Sequence, residues 1–301
     1  MILSNNISNV YSRGKKISRV YSYGKLVWEK LSEDYNGVIF TAEEANSTIG
    51  LEKLSSYQTL EYRTVGSNWQ NMTLDTVITL NNIGDKVYIR GELRDYNSYS
   101  NYTLFTMTGR ISASGNCNYI WSKNDLTAPL KKLCGYCMFY KCGNSLTQAP
   151  ELPATELAYA CYEKIFTSCK LLTQAPALPA TTLAEKCYNS MFYNCSNLTQ
   201  APALPATTLA KYCYQSMFGY CSSLTTAPEL PAQDLIYMCY SSMFFKCSNL
   251  NYIKCLAINN INQISTWTRD VSSSGTFVCP NGVSWTRGED GIPKNWTVEY
   301  I

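Results

Sequence analysis

The sequence predicts a multidomain fold: an all-β N-terminal region, then an α/β repeat solenoid, closed by a C-terminal cap. Three observations predict it. Apolar and polar residues alternate through the first third of the chain, a 26-residue repeat fills much of the remainder, and the repeat ends before the C-terminus. Of the 301 residues, 46% are hydrophobic and 16% charged, which suffices to bury a core. The predicted parts are 1–33, a β-meander; 34–120, a β-sandwich; 121–257, the solenoid; and 258–301, the cap.

The N-terminal segment contains a repeat of ten residues, ISNVYSRGKK at 7–16 and ISRVYSYGKL at 17–26. Apolar residues alternate on both sides of Gly14 and Gly24, which predicts a short β-meander with glycine turns. The pattern I-x-x-V-Y-x-x-G-K-L-V-W at 17–28 resembles N-terminal segments of phage and prophage tail-associated proteins from gut bacteria. This resemblance implies an attachment segment, whereas the plain alternative is a hairpin packed on the next domain.

The segment 34–120 alternates with a period of two residues. Four stretches show it, at 59–63, 76–80, 86–90 and 102–107. Four or five short strands of this kind predict an antiparallel sandwich. Trp69 lies in a polar stretch between them, where its ring could stack on a sugar or close the edge of its own core.

The 26-residue repeat defines the third region. The thirteen residues LTQAPALPATTLA occur at 172–184 and again at 198–210. Two prolines three residues apart keep this part of each unit extended. Leu183, Cys187, Met191 and Cys195 then follow at i, i+4, i+8 and i+12, which predicts a helix with one apolar stripe. Each unit is therefore expected to be strand, proline turn and helix, and stacked units form a solenoid.

The run MFYNCSNLTQAPALP at 191–205 resembles the A-F-x-x-C-x-x-L-x-x-I-x-I-P unit of the Bacteroides- and treponeme-type leucine-rich repeats. Met191 stands in place of alanine, Ala201 and Ala203 replace the isoleucines, and Leu204 is an extra residue before the proline. The resemblance extends over about 121–257. It implies a curved leucine-rich-repeat solenoid of a surface or adhesive protein, and it carries over no catalytic residue.

The fourteen cysteines mostly follow the repeat. Two cysteines eight residues apart on one helix lie about 12 Å apart, which is too far for a disulfide. Neighbouring helices lie about 8–10 Å apart, which also disfavours disulfides within a cysteine column, although a diagonal pair could still form. The lone C-x-x-C at 134–137 lacks the second pair of a zinc site. The sequence predicts no metal, no cofactor, and a structural ladder of buried free thiols: Cys134, Cys142, Cys161, Cys169, Cys187, Cys195, Cys213, Cys221, Cys239 and Cys247.

Composition excludes several functions. The chain has no histidine, so Ser-His or Cys-His nucleophiles and imidazole metal ligands are ruled out. A net charge of +3 is too weak to indicate a nucleic acid or an anionic membrane as partner. The N-terminus lacks the apolar run of a secretory signal, and no stretch approaches the length of a membrane span. We therefore expect folding in the bacterial cytoplasm and assembly into a virion, with the bacterial surface or secretion as the alternative.

Repeats reveal which positions are free for recognition, because positions that vary between units carry no shared structural role. The varied positions at the predicted helix ends are rich in tyrosine, which offers large contact area with few rotatable bonds. A glutamine column on the predicted strands is a second candidate. The candidate ligand-binding residues are Tyr159, Glu185, Lys211, Tyr237, Tyr193, Tyr212, Tyr220, Gln148, Gln174, Gln200 and Trp69.

These features favour a non-enzymatic recognition or adhesion protein. The resemblance of residues 17–28 to tail-associated proteins, together with the missing signal and free thiols, favours a phage or prophage tail-associated receptor-binding protein. Such a protein would contact a bacterial surface protein or glycan through its solenoid. A bacterial cell-surface leucine-rich-repeat adhesin is the alternative, and a glycan hydrolase, which would need paired carboxylates, ranks third. Expected partners are a cell-surface protein or glycan and, through the N-terminal region, other tail proteins; a homo-oligomer is allowed, whereas nucleic acid and membrane insertion are not expected.

Overall fold

The computed structural model describes residues 10–12, 15–17, 19–22, 25–29 and 37–301, which belong to two compact units, 1–36 and 37–301. In the first unit, β1 (Val10–Ser12) pairs antiparallel with β2 (Lys15–Ile17), and β3 (Arg19–Ser22) pairs antiparallel with β4 (Lys25–Glu29). The strands of the expected meander thus pair two by two. The residues of its glycine turns, 13–14 and 23–24, lie outside the described residues.

The second unit begins with two antiparallel sheets, here called the sandwich (residues 38–114). One has the strand order β12-β5-β10-β7-β8 and the other β11-β6-β9. The strands are β5 (Val38–Ala42), β6 (Ser47–Lys53), β7 (Gln58–Thr64), β8 (Gln70–Met72), β9 (Val77–Leu80), β10 (Lys86–Leu93), β11 (Leu104–Thr108) and β12 (Ile111–Ser114).

Period-two alternation explains how the sandwich builds its core. In β5, Val38, Phe40 and Ala42 are buried while the residues between them are partly exposed. Phe40 of one sheet meets Phe105 of the other with ring centres 6.0 Å apart, so the two sheets share one core. A parallel strand, β13 (Leu146–Gln148), adds to β12 and starts the repeats.

The predicted α/β leucine-rich-repeat solenoid is wrong. The described residues are mostly β, and their only helical elements are α1 (Asn118–Trp121) and a 3-10 turn at Tyr140–Cys142. No predicted repeat helix forms in the described region. Between β13 and β14 (Tyr252–Lys254), the strand sides of neighbouring repeats are joined only by isolated parallel bridges such as Gln174 to Gln200.

The physical reason is a strict period of four residues, where an α-helix has 3.6. Each repeat contains a chain of four-residue turns, here called a turn ribbon; the ribbons are 133–142, 159–168, 185–194, 211–220 and 237–246. In the second ribbon, Ala160, Lys164 and Ser168 have φ of 49°, 58° and 62°. A left-handed residue at every fourth position cannot belong to an α-helix.

The backbone N–H groups of the turn ribbons find hydrogen-bond partners partly within one repeat and partly in the next repeat. In the second ribbon, the N–H groups of odd-numbered residues 161–169 donate to the carbonyl three residues earlier. Those of even-numbered residues 160–168 donate to carbonyls of 185–193 in the next repeat. Every N–H of this stretch therefore has a partner, which makes the arrangement stable without helices. We call residues 133–257 the repeat stack.

Stacking in register places identical side chains on top of one another. Phe139, Phe166, Phe192, Phe218 and Phe244 form a ladder with neighbouring ring centres 5.6–5.9 Å apart and planes within 5–13°. A second ladder joins Tyr162, Tyr188, Tyr214 and Tyr240 at 5.7–6.0 Å. These near-parallel pairs form the centre of the stack, and each ring buries its faces against the next repeat.

All fourteen cysteines are buried free thiols. Because hydrogen-bonded repeats lie about 5 Å apart, the helix spacing that argued against disulfides within a column does not apply here. Instead, the thiols of Cys169, Cys195, Cys221 and Cys247 donate to the carbonyl oxygens of Phe139, Phe166, Phe192 and Phe218 at 2.9–3.4 Å.

The C-terminal residues close the stack. β14, β15 (Thr276–Cys279) and β16 (Thr297–Tyr300) form a parallel three-stranded sheet. Trp267 is fully buried and lies 6.3 Å from the ring of Tyr240 and 6.1 Å from that of Phe244, so one indole covers the ends of both ladders. No helix of the described region is long and apolar enough to cross a membrane.

Candidate binding surface

The turn ribbons sort side chains into inward and outward columns. Two neighbouring residues of each four-residue turn, such as Cys187 and Tyr188, point into the core, and the other two lie nearer the outer surface. Because the ribbons stack in register, outward positions of successive repeats become neighbours in space. Residues 26 apart in sequence can therefore act together on one surface.

One end of these columns carries a cluster of tyrosines and lysines that we call the tyrosine–lysine face. Part of it comes from the ribbons and part from the loop 94–103, which precedes β11 of the sandwich. Its members are Tyr96, Tyr99, Lys132, Tyr136, Tyr159, Glu163, Lys164, Lys186, Tyr212 and Tyr237.

Lys186 lies at the centre of this face. Its Nζ donates to the Tyr159 hydroxyl at 3.3 Å and is 5.7–5.9 Å from the ring centres of Tyr99, Tyr159 and Tyr212. Partial burial lowers the pKa of Lys186, but the Tyr159 hydrogen bond and the neighbouring Glu163 and Glu185 carboxylates outweigh it and leave that pKa raised. The ammonium group therefore stays charged among the rings, an arrangement typical of cation–π contacts.

Glu163 ties the sandwich loop to the repeat stack. Its Oε2 accepts a 2.9 Å hydrogen bond from the Tyr99 hydroxyl, and its Oε1 is 4.0 Å from Lys164 Nζ. Burial raises the pKa of Glu163, while the Tyr99 hydrogen bond and the nearby Lys164 and Lys186 oppose the rise. Burial together with the Tyr159 and Glu163 contacts raises the pKa of Tyr99 well above its ordinary range, so its hydroxyl stays a donor.

Further lysines lie on tyrosine rings of the same face. Lys132 Nζ is 5.0 Å from the ring centre of Tyr159 and 5.5 Å from that of Tyr96. Lys164 Nζ is 5.8 Å from the ring centre of Tyr136, which meets Tyr99 edge-on at 5.0 Å. The charges that reach solvent are mainly positive, since the Glu163 side chain is only 7% exposed and that of Lys164 is 41% exposed.

The structure distributes the sequence-predicted residues over different places. Tyr159, Tyr212 and Tyr237 belong to the tyrosine–lysine face, and Tyr212 meets Tyr237 edge-on at 5.4 Å. Glu185 is half-buried close enough to Lys186 to influence its charge, and Lys211 is exposed in the next repeat.

Tyr193 and Tyr220 lie at the other end of the ribbons. They contact each other edge-on at 5.2 Å, and Tyr220 meets Phe245 at 5.3 Å. Lys246 Nζ is 5.1 Å from the Tyr220 ring centre, so this smaller row repeats the lysine-on-ring pattern.

The glutamine column is exposed but lies on the strand side of the repeats. Gln148 and Gln174 line an open groove of about 600 Å³ together with Pro153, Pro176 and Pro179. Gln200 pairs with Gln174 through a parallel bridge and is not among the lining residues.

The ring of Trp69 is already in contact with two arginine side chains of the protein. The Arg90 guanidinium carbon is 3.9 Å from its ring centre and that of Arg63 is 5.2 Å away. Arg90 also pairs with Glu61, whose other oxygen binds Lys123 at 2.6 Å. A sugar would have to compete with these guanidinium groups for the ring, so Trp69 is a weaker candidate than the tyrosine–lysine face.

Sequence reasoning missed several members of the face: Tyr96, Tyr99, Lys132, Tyr136, Glu163, Lys164 and Lys186. The available signal was the composition of loop 94–103, RDYNSYSNYT, which is rich in tyrosine, serine and asparagine as binding loops are. Its contact with ribbons some 60 residues later follows from the tertiary fold alone.

The described part of the chain contains no cluster of three or more side chains suited to a metal ion. No protein-family model, no curated protein and no solved structure matches this chain, so the leucine-rich-repeat and tail-protein resemblances gain no support from relatives.

Proposed function

We propose that this chain is a non-enzymatic recognition protein that binds a macromolecule of a bacterial surface through the tyrosine–lysine face. The observation that carries the proposal is the gathering of six tyrosines and three lysines, from two separate parts of the fold, on one outer surface.

The chain uses tyrosine in two contrasting ways. The ladder tyrosines Tyr162 and Tyr188 are at most 1% exposed and serve the core. Tyr96, Tyr99 and Tyr237 are 54%, 46% and 50% exposed. Large aromatic surface left in water at one place is a mark of a binding site, since a monomer gains nothing in stability by exposing it.

The face is also held in place before any ligand arrives. Tyr99 is fixed by Glu163, Tyr159 by Lys186, and Tyr212 by Tyr237. Rings that already occupy their positions lose little conformational freedom on binding, which favours affinity.

The third-ranked hydrolase would need two facing carboxylates. The carboxyl group at the centre of this face, Glu163, instead binds the Tyr99 hydroxyl and lies beside Lys164. Recognition therefore fits the face better than acid–base hydrolysis. Attachment to a phage or prophage tail, or to a bacterial surface, remains a prediction from sequence.

Binding of the fluorescently labelled full chain to a panel of Gram-positive and Gram-negative cells tests the proposal by flow cytometry. We expect at least one strain to bind, and the double variant Tyr212→Ala/Tyr237→Ala to lose roughly tenfold or more in affinity, as expected for truncated aromatic anchors. Tyr300→Ala is the matched control, because Tyr300 is 61% exposed outside the face. Binding to no strain, or binding that the double variant leaves unchanged while its melting temperature is normal, would refute the proposal.

A further inference from the structure

We propose that the ligand of the tyrosine–lysine face is an acidic glycan, and that its carboxylate binds Lys132 and Lys186 beside the ring of Tyr159. The inference rests on the proposed recognition function and adds the chemical class of the ligand. Both ammonium groups lie near one ring: Lys132 Nζ is 5.0 Å and Lys186 Nζ 5.7 Å from the Tyr159 ring centre.

These two lysines differ from the described lysines that pair with a carboxylate and resemble Lys246, which also lies on aromatic rings. Lys123, Lys141 and Lys254 each pair with a glutamate within 4.0 Å. Among the described residues, Lys132 and Lys186 have no carboxylate within that distance and contact tyrosine instead. Two cations that have aromatic partners and no carboxylate within 4.0 Å form a receptor for an anionic group.

The exposed charge of the face agrees with an anionic ligand. Glu163 is buried under Tyr99, whereas Lys132 and Lys211 are exposed and Lys164 is partly so. Asp95 of the loop 94–103 is exposed and Glu185 is half-buried, so an approaching carboxylate meets three lysines against one fully exposed acid, which favours its encounter and orientation.

The backbone of the ribbons favours a glycan over an acidic peptide. The N–H groups of 160–169 are all used inside the stack, either three residues back or in the next repeat. A peptide would thus find no free strand edge to pair with along these ribbons. The face offers the exposed ring surfaces of Tyr96, Tyr99 and Tyr237, which suit the C–H faces of sugars.

Biolayer interferometry of the full chain tests the inference with three acidic polysaccharides: hyaluronate, polygalacturonate and polysialic acid. Each is paired with its carboxyl-reduced neutral form, and poly-glutamate serves as the acidic peptide. We expect at least one polysaccharide to bind, carboxyl reduction to weaken it roughly tenfold or more, and added salt to weaken it further.

Lys132→Gln and Lys186→Gln should each weaken that binding roughly tenfold, the effect of losing one charge-assisted contact. Lys294→Gln is the matched control, because Lys294 is an exposed lysine of the C-terminal cap. Lys132 is exposed too, so its variant separates loss of contact from loss of folding.

Three results would overturn the inference. Binding to none of the acidic polysaccharides would do so, and so would preferential binding to poly-glutamate. Equal binding to the carboxyl-reduced forms that still depends on Tyr212 and Tyr237 would reject the acidic ligand but leave the recognition function intact.

Discussion

The sandwich and the repeat stack solve the same problem, a buried backbone whose polar groups all need partners, in different ways. The sandwich joins strands that are distant in sequence, as in β7 with β10 and β5 with β12, and its side chains alternate between two faces. The repeat stack joins every second residue of a ribbon to the chain 25 or 26 residues later through its N–H group, as in the second ribbon. Long-range pairing therefore shapes one region, and repetition of one local unit shapes the other.

The two regions also differ in how they reach left-handed backbone. In the sandwich, Gly66, Gly84 and Gly109 take most of these positions, with Asn46 as the non-glycine example. In the stack, ordinary residues such as Lys164 and Ser216 do so. A non-glycine residue pays about 1–2 kcal/mol for this conformation. Hydrogen bonds and ring stacking between repeats must offset that strain, so the stack depends on its neighbours more than the sandwich does.

The regions nevertheless share one core. Phe105 of β11 stacks on Phe139, the first ring of the phenylalanine ladder, with centres 5.5 Å apart. Trp121, at the end of α1, lies 5.8 Å from Tyr162 and begins the tyrosine ladder in the same way. The sandwich and α1 thus cover the first apolar face of the stack, as Trp267 covers the last, and a stack of repeats needs both.

The largest expected difference between the regions is sensitivity to alkali, because the ten ladder thiols belong to the stack. Burial raises the pKa of every one of them, to about 11 for Cys239 and about 12 for Cys247. The unfolded chain ionises its thiols above about pH 8.5 while the folded chain keeps them protonated, so each thiol lowers the free energy of unfolding by about 1.4 kcal/mol per pH unit.

Within about one pH unit above 8.5 the ten thiols together remove roughly 10 kcal/mol, which is comparable to the whole stability of a typical domain. We expect the reduced protein to unfold cooperatively near pH 9–10, as measured by circular dichroism. Changing Cys169, Cys195, Cys221 and Cys247 to alanine should reduce the dependence of the free energy of unfolding on pH. A protein that stays folded at pH 10.5 would contradict this.

A ladder ring should matter more than an outer ring of another ribbon. Phe192 is fully buried between Phe166 and Phe218, with ring centres 5.8 Å away on each side. Phe192→Ala should lower the free energy of unfolding by about 3–5 kcal/mol. Phe245→Ala, which truncates a half-buried outer ring, should cost about 1 kcal/mol. Urea denaturation measures both free energies of unfolding. Equal decreases for the two variants would show that the ladder rings stabilise the stack no more than the outer rings do.

The smallest expected effect concerns left-handed backbone. Ser216 has φ 54°, and Ser216→Gly relieves strain of about 1–2 kcal/mol while adding about 0.5–1 kcal/mol of unfolded-chain entropy, so a gain of about 0.5 kcal/mol is expected. Gly84 has φ 87° and open space where a Cβ would lie, so Gly84→Ala in the sandwich should cost about 1–2 kcal/mol. Thermal unfolding measures both; destabilisation by Ser216→Gly would mean that the ribbon conformation carries no strain.

Repetition made part of this fold predictable from sequence. The 26-residue step identified which columns, such as Tyr188 and Phe192, lie in the core, because only structural positions keep the same residue in every unit. The prediction was wrong about the backbone that connects these columns, which was expected to be helical. Leu183, Cys187, Met191 and Cys195 keep a spacing of four over twelve residues, along which an α-helix would rotate its stripe by about 40° per step.

That strict spacing was a usable sign against a helix. The left-handed residues at 186, 190 and 194 gave no such sign in the sequence, because they are lysine, serine and asparagine. Glycine at these positions would have indicated turns. The candidate face was predictable only in part: Tyr159, Tyr212 and Tyr237 stand at varied repeat positions, but nothing in the sequence links them to Tyr99.

The sequence by itself determined the period, the core columns and the supply of tyrosine at varied positions, since these are properties of order along the chain. The tertiary structure decided the backbone and the surface. Backbone N–H groups could close helical turns or reach the next repeat, and only the presence of that repeat 25 or 26 residues later, with rings and thiols to stack, favours the second choice. Tyr99 likewise meets Glu163 because the sandwich loop folds onto the stack, a contact between residues 64 positions apart.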